Sequence, residues 1–234
     1  MIFKNCICIA QARIIEGPRK KAHICTIAYH EDLDSFLRIC LPFEYGKDTK
    51  IRRWSRFCFE GQKPEKDTRV ESYEFGKLLS IDKQLSANEK ILLHQKILSL
   101  YQHESELNEN KKSIGIIVPE PSSLEFQTKP LTEREVEYKN IMKSKGIFFP
   151  DFTVRVIGKS GQFKRKFNKQ LVQWDVFEAI RKDIDPFLSL KSYKEPYIIT
   201  GNTPWKRDSF LAISILSAPK SLTVHAHHQQ LSLI

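Results

Sequence analysis

Trp54-Ser55-Arg56-Phe57-Cys58-Phe59-Glu60 is the stretch on which the fold turns. Trp54, Arg56 and Cys58 alternate with Ser55, Phe57 and Phe59, a period of two with an apolar face at 57 and 59, which is the pattern of a half-buried strand. Similar short runs precede it. Residues 4–12, 23–29 and 35–41 are rich in apolar and β-branched types, Glu16-Gly17-Pro18 marks a turn, and Pro42 stops the third run. Short strands at this spacing predict a small barrel or sandwich over the first 80 residues.

Helices are signalled further on. Ser86-Ala87-Asn88-Glu89 is a capping box, and Leu92, Leu93, Ile97, Leu100 and Tyr101 follow at helical spacing, so a helix is expected within 81–107. Thr132-Glu133-Arg134-Glu135 is a second capping box, opening a helix to about 145. Trp174, Phe177, Ile180, Ile184, Phe187 and Leu188 share one stripe, predicting a third helix over 172–187. Strands are expected at 113–118, 124–127, 197–200 and 210–216. A hairpin of 152–157 with 162–167 is expected around Gly158-Lys159-Ser160-Gly161.

Composition narrows the function classes. The 234 residues are 41% hydrophobic and 28% charged, which suits a folded chain rather than a disordered one. No run of about 18 apolar residues predicts a membrane-spanning helix. The apolar N-terminal stretch is interrupted by Lys4 and Asn5, which fits a buried first strand better than a secretory leader. Cys6, Cys8, Cys25, Cys40 and Cys58 are odd in number and never spaced Cys-x-x-Cys. They read as reduced core thiols of a cytoplasmic protein, with zinc as the sharper alternative. The net charge is +10 and the pI about 9.3, which favours polyanionic partners.

Several motifs, in order, carry a family resemblance. Lys66-Asp67-Thr68-Arg69-Val70-Glu71-Ser72-Tyr73 resembles an Asp-x-Arg-x-Glu-Ser-Tyr signature. Residues 112–121, Lys-Ser-Ile-Gly-Ile-Ile-Val-Pro-Glu-Pro, on through Phe126, resemble a Ser-Leu-x-Ile-x-Pro strand signature. Gln173-Trp174-Asp175-Val176-Phe177-Glu178 is similar to a segment usually written Asp-Trp-Glu. Tyr197-Ile198-Ile199-Thr200-Gly201-Asn202 with Ser209-Phe210-Leu211 looks like closing strands. Over roughly residues 4–220 the chain resembles a family of largely uncharacterised bacterial proteins that look like paired small OB-type β-barrels. The resemblance implies an α+β fold of two small OB-like β-barrels or sandwiches with a few intervening helices. It also implies a mobile-element or defence setting, with nucleic acid as ligand. The expected domains are residues 1–105, 106–220 and a tail, 221–234. Family members often carry cysteines and a histidine before the Asp-Trp segment, spaced as for zinc. Residues 161–169 here hold neither, so no metal is expected at that place.

Candidate site residues follow from charge interleaved with rings. Lys159, Lys164, Arg165, Lys166 and Lys169 occur with Phe163 and Phe167 and no acid between them. On single strands, cations track phosphates and aromatics stack on bases; the structural alternative is a solvated hairpin whose rings enter the core. Lys47, Lys50, Arg52, Arg53 and Arg56 surround Trp54, and Arg19-Lys20-Lys21 flanks the first turn. Trp205, Lys206 and Arg207 sit in a loop after Gly201. No phosphate-binding Gly-rich loop, nucleophile elbow or His-Glu-x-x-His motif occurs. Asp67 and Glu71 could hold a metal for phosphodiester cleavage, but Arg69 between them suits a structural ion-pair network better. His225, His227 and His228 in the tail could bind a metal, although a docking peptide or frayed end fits better. The expectation is a cytoplasmic, non-enzymatic accessory protein that binds RNA or single-stranded DNA, has a protein partner, and needs no cofactor and no membrane. A protein-interaction scaffold and a metal-dependent nuclease are the alternatives.

Overall fold

A computed structural model of the chain describes residues 1–17, 20–42, 51–100, 104–161, 164–185, 187, 190, 195–203 and 206–217. The first half is a closed barrel of β1 (Ile2–Gly17), β2 (Lys20–His30), β3 (Ser35–Pro42), β4 (Ser55–Gln62) and β5 (Ser72–Gln84), in the order β1-β2-β3-β5-β4. β3 runs parallel to β5; the other pairs, including the β1–β4 closure, are antiparallel. Alternation fills the barrel with Phe3, Cys6, Cys8, Leu37, Ile39, Leu41, Phe57, Phe59, Tyr73 and Phe75. The opposite residues of β1 and β2, among them Ile7, Ile9, Cys25, Ile27 and Tyr29, point outward and are buried all the same. A bulge between Cys8 and Ala10 keeps Ile9 and Ala10 both on that outer face.

A second sheet covers that outer face. It contains β6 (Ile114–Ile117), β7 (Glu125–Pro130), β8 (Phe152–Lys159), β9 (Lys166–Leu171), β10 (Pro196–Thr203) and β11 (Lys206–Ser217), in the order β6-β10-β11-β9-β8-β7. Ile114, Ile116, Tyr197, Ile199, Ile213 and Leu216 join the outer residues of β1 and β2 in one core, together with Leu93 and Ile97 of α1 (Ala87–Ser99). The sheet's own interior holds Val154, Val156, Phe167, Leu171, Ile198, Ala212 and Ile215 with Val176 and Phe177 of α4 (Trp174–Arg181). α2 (Glu104–Glu109) leads into β6, and α3 (Glu133–Ser144) lies between β7 and β8.

Several expectations need correction. One sheet closes into a barrel; the second is six-stranded and, among the described residues, no ladder joins β6 to β7. It does curl: Pro119, just past β6, bridges Ser160 at the end of β8, and the Glu120 amide donates to the Lys159 carbonyl at 2.8 Å. Residues 81–84 are strand, because Ile81 pairs with Phe57 and packs on the barrel interior, and the Ser86–Glu89 box sets the helix start after them. The 152–157 hairpin reaches further, with its partner at 166–171 rather than 162–167. The third helix stops at Arg181, where Asp183 takes a left-handed φ of 57°. The tail, with His225, His227 and His228, lies outside the described residues.

Cys6, Cys8 and Cys25 are buried and Cys40 and Cys58 half-buried, all as free thiols. Burial pushes the Cys8 thiol up to about 12 and the Cys6 thiol higher, which leaves both unreactive.

One buried polar pair links the halves. His94 of α1 meets the Tyr197 hydroxyl of β10 at 2.6 Å, with the Trp54 ring 5.0 Å away. Burial, helped by Lys90, holds the His94 imidazole at about 4 against an ordinary 6.5. The ring is therefore neutral when folded but takes up a proton below pH 6.5 when unfolded, so its contribution is complete above pH 6.5 and lost as pH falls towards 4. His94→Gln should make the urea midpoint fall less steeply between pH 6.5 and 4. A slope equal to wild type would refute the assignment; His30, also held below its ordinary value by burial, and carboxylates held low, such as Glu135, supply the remaining slope.

Candidate nucleic-acid interface

The signature Asp67-x-Arg69-x-Glu71 is a clasp, not a strand face. The three residues lie in the irregular segment and turn just before β5, and each is engaged. Arg69 grips Asp67 through Nε at 2.8 Å and Nη2 at 2.5 Å, while its Nη1 donates to the Asn202 carbonyl at 2.7 Å. One oxygen of Glu71 accepts from the backbone amides of Ser113 and, at 3.1 Å, Ile114. Arg38, 4% exposed, donates to the Ser113 carbonyl at 2.9 Å and to Cys25 Sγ at 3.1 Å. Burial raises the Asp67 carboxyl, but the Arg69 hydrogen bonds and charge outweigh it and hold the group below the ordinary carboxylate range. Asp67 is thus occupied by Arg69, which itself reaches β10, and one oxygen of Glu71 by the amides leading into β6, its other oxygen being buried without a hydrogen-bond partner. Among the described residues no group of three or more His, Cys, Asp or Glu is placed to hold a metal ion.

The basic cluster around Trp54 is also largely structural. Arg53 pairs with Asp175 at 2.6 Å and donates to Ser214 Oγ at 3.3 Å, tying the loop before β4 to the second half. Arg56 bridges Glu31 at 3.0 Å and Glu89 at 3.3 Å. Trp54 has a left-handed φ of 69° and is half-buried against the shared core, its amide donating to the Cys8 carbonyl. Arg52 is exposed. Lys47 and Lys50 lie outside the described residues, as do Arg19, Phe163 and Trp205. Lys20 and Lys21 begin β2. Lys206 is exposed at the start of β11. Arg207, like Lys206, is in β11 rather than in the expected loop, since β10 runs on to Thr203, and it donates to Thr68 Oγ1 at 3.1 Å, so the start of β11 reaches back to the clasp.

The third cluster divides by strand parity. Lys159 and Lys166 face each other across β8–β9 on the outer face of the sheet. Lys159 and Lys164 share Glu120 at 3.5 and 3.0 Å, and the Arg165 carbonyl accepts from the Ser160 amide in the connecting turn. Phe167 turns the other way: it is a core ring lying over Gly158, where a Cβ would come within 2.7 Å of it. Lys169 shares that inner parity and pairs with Glu104 at 2.7 Å, 12% exposed. The expected interleaving of cation and ring on one surface therefore fails at Phe167 and Lys169.

The ladders instead assemble a face that the charge runs did not reveal. Rows of Lys129–Thr153, Gln127–Arg155–Gln170, Glu125–Ile157–Asn168 and Lys159–Lys166 lie side by side on the outside of β7–β8–β9. Seven residues from Thr153 to Lys159 span about 20 Å at the strand rise. Arg155 is held flat by Nε to Asn168 Oδ1 at 2.5 Å and Nη2 to its carbonyl at 2.9 Å. Lys129, Lys166, Gln127 and Asn168 are exposed. Lys129 and Arg155 could have been found by reading 125–130 and 152–159 each with period two and pairing the two runs across α3. Compared with known protein families and with curated proteins, the chain matches none.

Glu71→Ala would strand two buried amides, a loss of about 2–4 kcal/mol. The urea midpoint should fall accordingly, with Glu71→Gln keeping an acceptor and losing less. A midpoint equal to wild type for Glu71→Ala would show that the clasp does not hold the halves together.

Proposed function

We propose that the chain is a non-enzymatic nucleic-acid-binding module, which cradles the sugar-phosphate backbone of RNA or single-stranded DNA on the outer face of β7–β8–β9. The observation that carries this is a repeated strand order with opposite exposure. The first barrel runs β1-β2-β3-β5-β4, and the second sheet contains β7-β8-β9-β11-β10, each with its third and fifth strands parallel. β6, the segment leading into β7, takes the edge of β10 that early β1 takes on β4. The second sheet then reads as an OB-like barrel whose first strand is split by the turn at Pro121–Ser123. OB modules bind oligonucleotides across strands 2 and 3. In the first barrel that face is filled by the second sheet; in the second it is largely open and carries Lys129, Arg155, Lys159 and Lys166 with the exposed amides of Gln127 and Asn168, beside one exposed acid, Glu125, while the Gln170 amide is spent on Glu135.

Cations supply affinity by releasing counterions, and side-chain amides bond phosphate and sugar oxygens without reading sequence. Ile157 is the sole apolar side chain of the described rows, so base stacking is a minor component and preference among bases should be slight. The resemblance noted above supports a place in a ribonucleoprotein or defence complex, with a protein partner and a cytoplasmic setting.

Fluorescence anisotropy with labelled single-stranded RNA, single-stranded DNA and duplex tests the reading. Four phosphate contacts to a single strand predict an affinity loss of about 50-fold between 50 and 200 mM salt. The triple variant Lys129→Glu, Arg155→Glu, Lys166→Glu should bind at least tenfold more weakly with a flatter salt dependence. No binding at 50 mM salt, or a variant that binds as wild type does, would overturn the proposal. Retention of an unidentified protein partner after nuclease treatment, with no nucleic acid bound, would favour a scaffold instead.

A further inference from the structure

A cleft of about 810 Å³ opens between the two halves, apart from the β7–β8–β9 face. One wall is β1, the loop before β4 and the end of β5, through Gln11, Arg13, Arg52, Arg53 and Gln84. The opposite wall is residues 145–149 together with α4. Five cationic side chains line it against two acidic ones. Both acids are already matched, Asp175 to Arg53 at 2.6 Å and Glu178 to Arg181 at 2.8 Å.

Arg13 is the unexplained group. Its backbone amide donates to the Val172 carbonyl at 2.6 Å, so the side chain leaves from a fixed point. The guanidinium lies 4.5 Å from the Phe149 ring centre and 5.4 Å from that of Phe177. Rings of this kind hold its plane but accept few of its five donors. Nη1 is fully buried and has no hydrogen-bond partner. The nearby Glu135 carboxylate is spent elsewhere, on the Thr132 amide and hydroxyl at 3.0 and 2.8 Å and on Gln170 at 3.1 Å. Burial lowers the Arg13 pKa, with Tyr138 and Glu135 opposing; an anion reaching the guanidinium would offset that loss of hydration and be held by charge-assisted hydrogen bonds.

Two further features bear on the ligand. Phe148, 43% exposed, and the half-buried Trp174 line the same cleft and offer flat apolar surface. The first turn of α4 forms part of the wall, and its N-cap residue Gln173 makes no cap bond, its side-chain oxygen accepting from Ile215 at 2.8 Å. Asp175 in that first turn already sets a carboxylate beside those amides, so the pull on an anion comes chiefly from the arginines of the cleft.

We propose that this cleft is a nucleotide site: Arg13 and the exposed Arg52 take a phosphate monoester, and Phe148 and Trp174 receive the planar base. The volume falls in the range of small-ligand pockets, about 300–1,000 Å³. The phosphate monoester belongs either to a free mononucleotide or to the end of a strand, and the two sources separate by experiment.

Calorimetric titration of the full chain with adenosine, uridine, guanosine and cytidine 5′-monophosphates, and with inorganic phosphate alone, tests the free ligand. Anisotropy with one oligonucleotide bearing a 5′-phosphate, a 3′-phosphate or hydroxyl ends tests the strand end. Either a mononucleotide dissociation constant below about 1 mM, tighter than that of phosphate, or a tenfold gain from a terminal phosphate is expected. Arg13→Gln should abolish that gain. Because Arg13 is packed between rings, Arg52→Ala and Phe148→Ala, both at exposed positions, serve as second variants, each expected to lose at least fivefold. No mononucleotide binding and no effect of a terminal phosphate would overturn the site, as would binding unchanged in all three variants. The mononucleotide arm does not involve the β7–β8–β9 face, so its outcome is independent of whether strands bind there.

Discussion

Two charges of opposite sign are buried on either side of Ser113, and the arrangement of the molecule follows from satisfying them. Glu71 takes the amides of Ser113 and Ile114, and Arg38 takes the Ser113 carbonyl. A buried ionic group without partners costs several kcal/mol, so neither charge tolerates separation of the sheets. Gly201 shows how closely the site is fitted: a Cβ there would lie 2.5 Å from Arg38 Nη2 and 2.4 Å from Ile213 Cδ1. β6 is thereby pinned to the barrel at its first residue, and the apolar outer faces of β1, β2, β6, β10 and β11 close over one another in a shared core.

This docking removes one surface and leaves another. Ile27 and Tyr29 of β2, with Ile7 and Ile9 of the adjoining β1, became core, and their apolar character fits that use. The outer rows of β7–β8–β9 are mostly lysine, arginine and amide, with one acid, Glu125, and one apolar residue, Ile157, which suits water and polyanions better than burial. The excess of positive charge is also unevenly available. Arg53, Arg56, Arg69 and Lys169 are consumed by ion pairs that hold elements together, so the count of cations overstates what a ligand would meet.

The strands and both capping boxes were legible because period and cap chemistry are local. Phe57 and Phe59 face the barrel interior as their alternation requires, and Ser86 and Thr132 cap their helices reciprocally with Glu89 and Glu135. The site was less legible because its residues are brought together by register. Lys159 and Lys166 are opposite one another only because of the β8–β9 ladder, and Lys129 and Arg155 come from strands 22 or more residues apart in sequence. Charge runs carry no parity, so they placed Lys169 and Phe167 with the exposed lysines when the pleat turns both inward. The clasp is another case: Asp67, Arg69 and Glu71 look like an alternating strand face, and only their partners on β6 and β10 make them a lock.

A surface of cations and amides can hold a backbone at many positions along it, since each phosphate resembles the next. Such a surface sets affinity without fixing register. A cleft with one buried guanidinium beside Phe148 and Trp174, used as proposed, would do the opposite and select a unit that offers a monoester. If the open face grips a strand and the cleft holds an end or a nucleotide, then the lock around Ser113 has a consequence beyond stability. It keeps Arg13 and Arg52, from the barrel, at a set distance from Phe148 and Trp174, from the second half. Loosening the clasp would therefore spoil the cleft, which both halves build, before it spoiled the face, which belongs to one sheet alone.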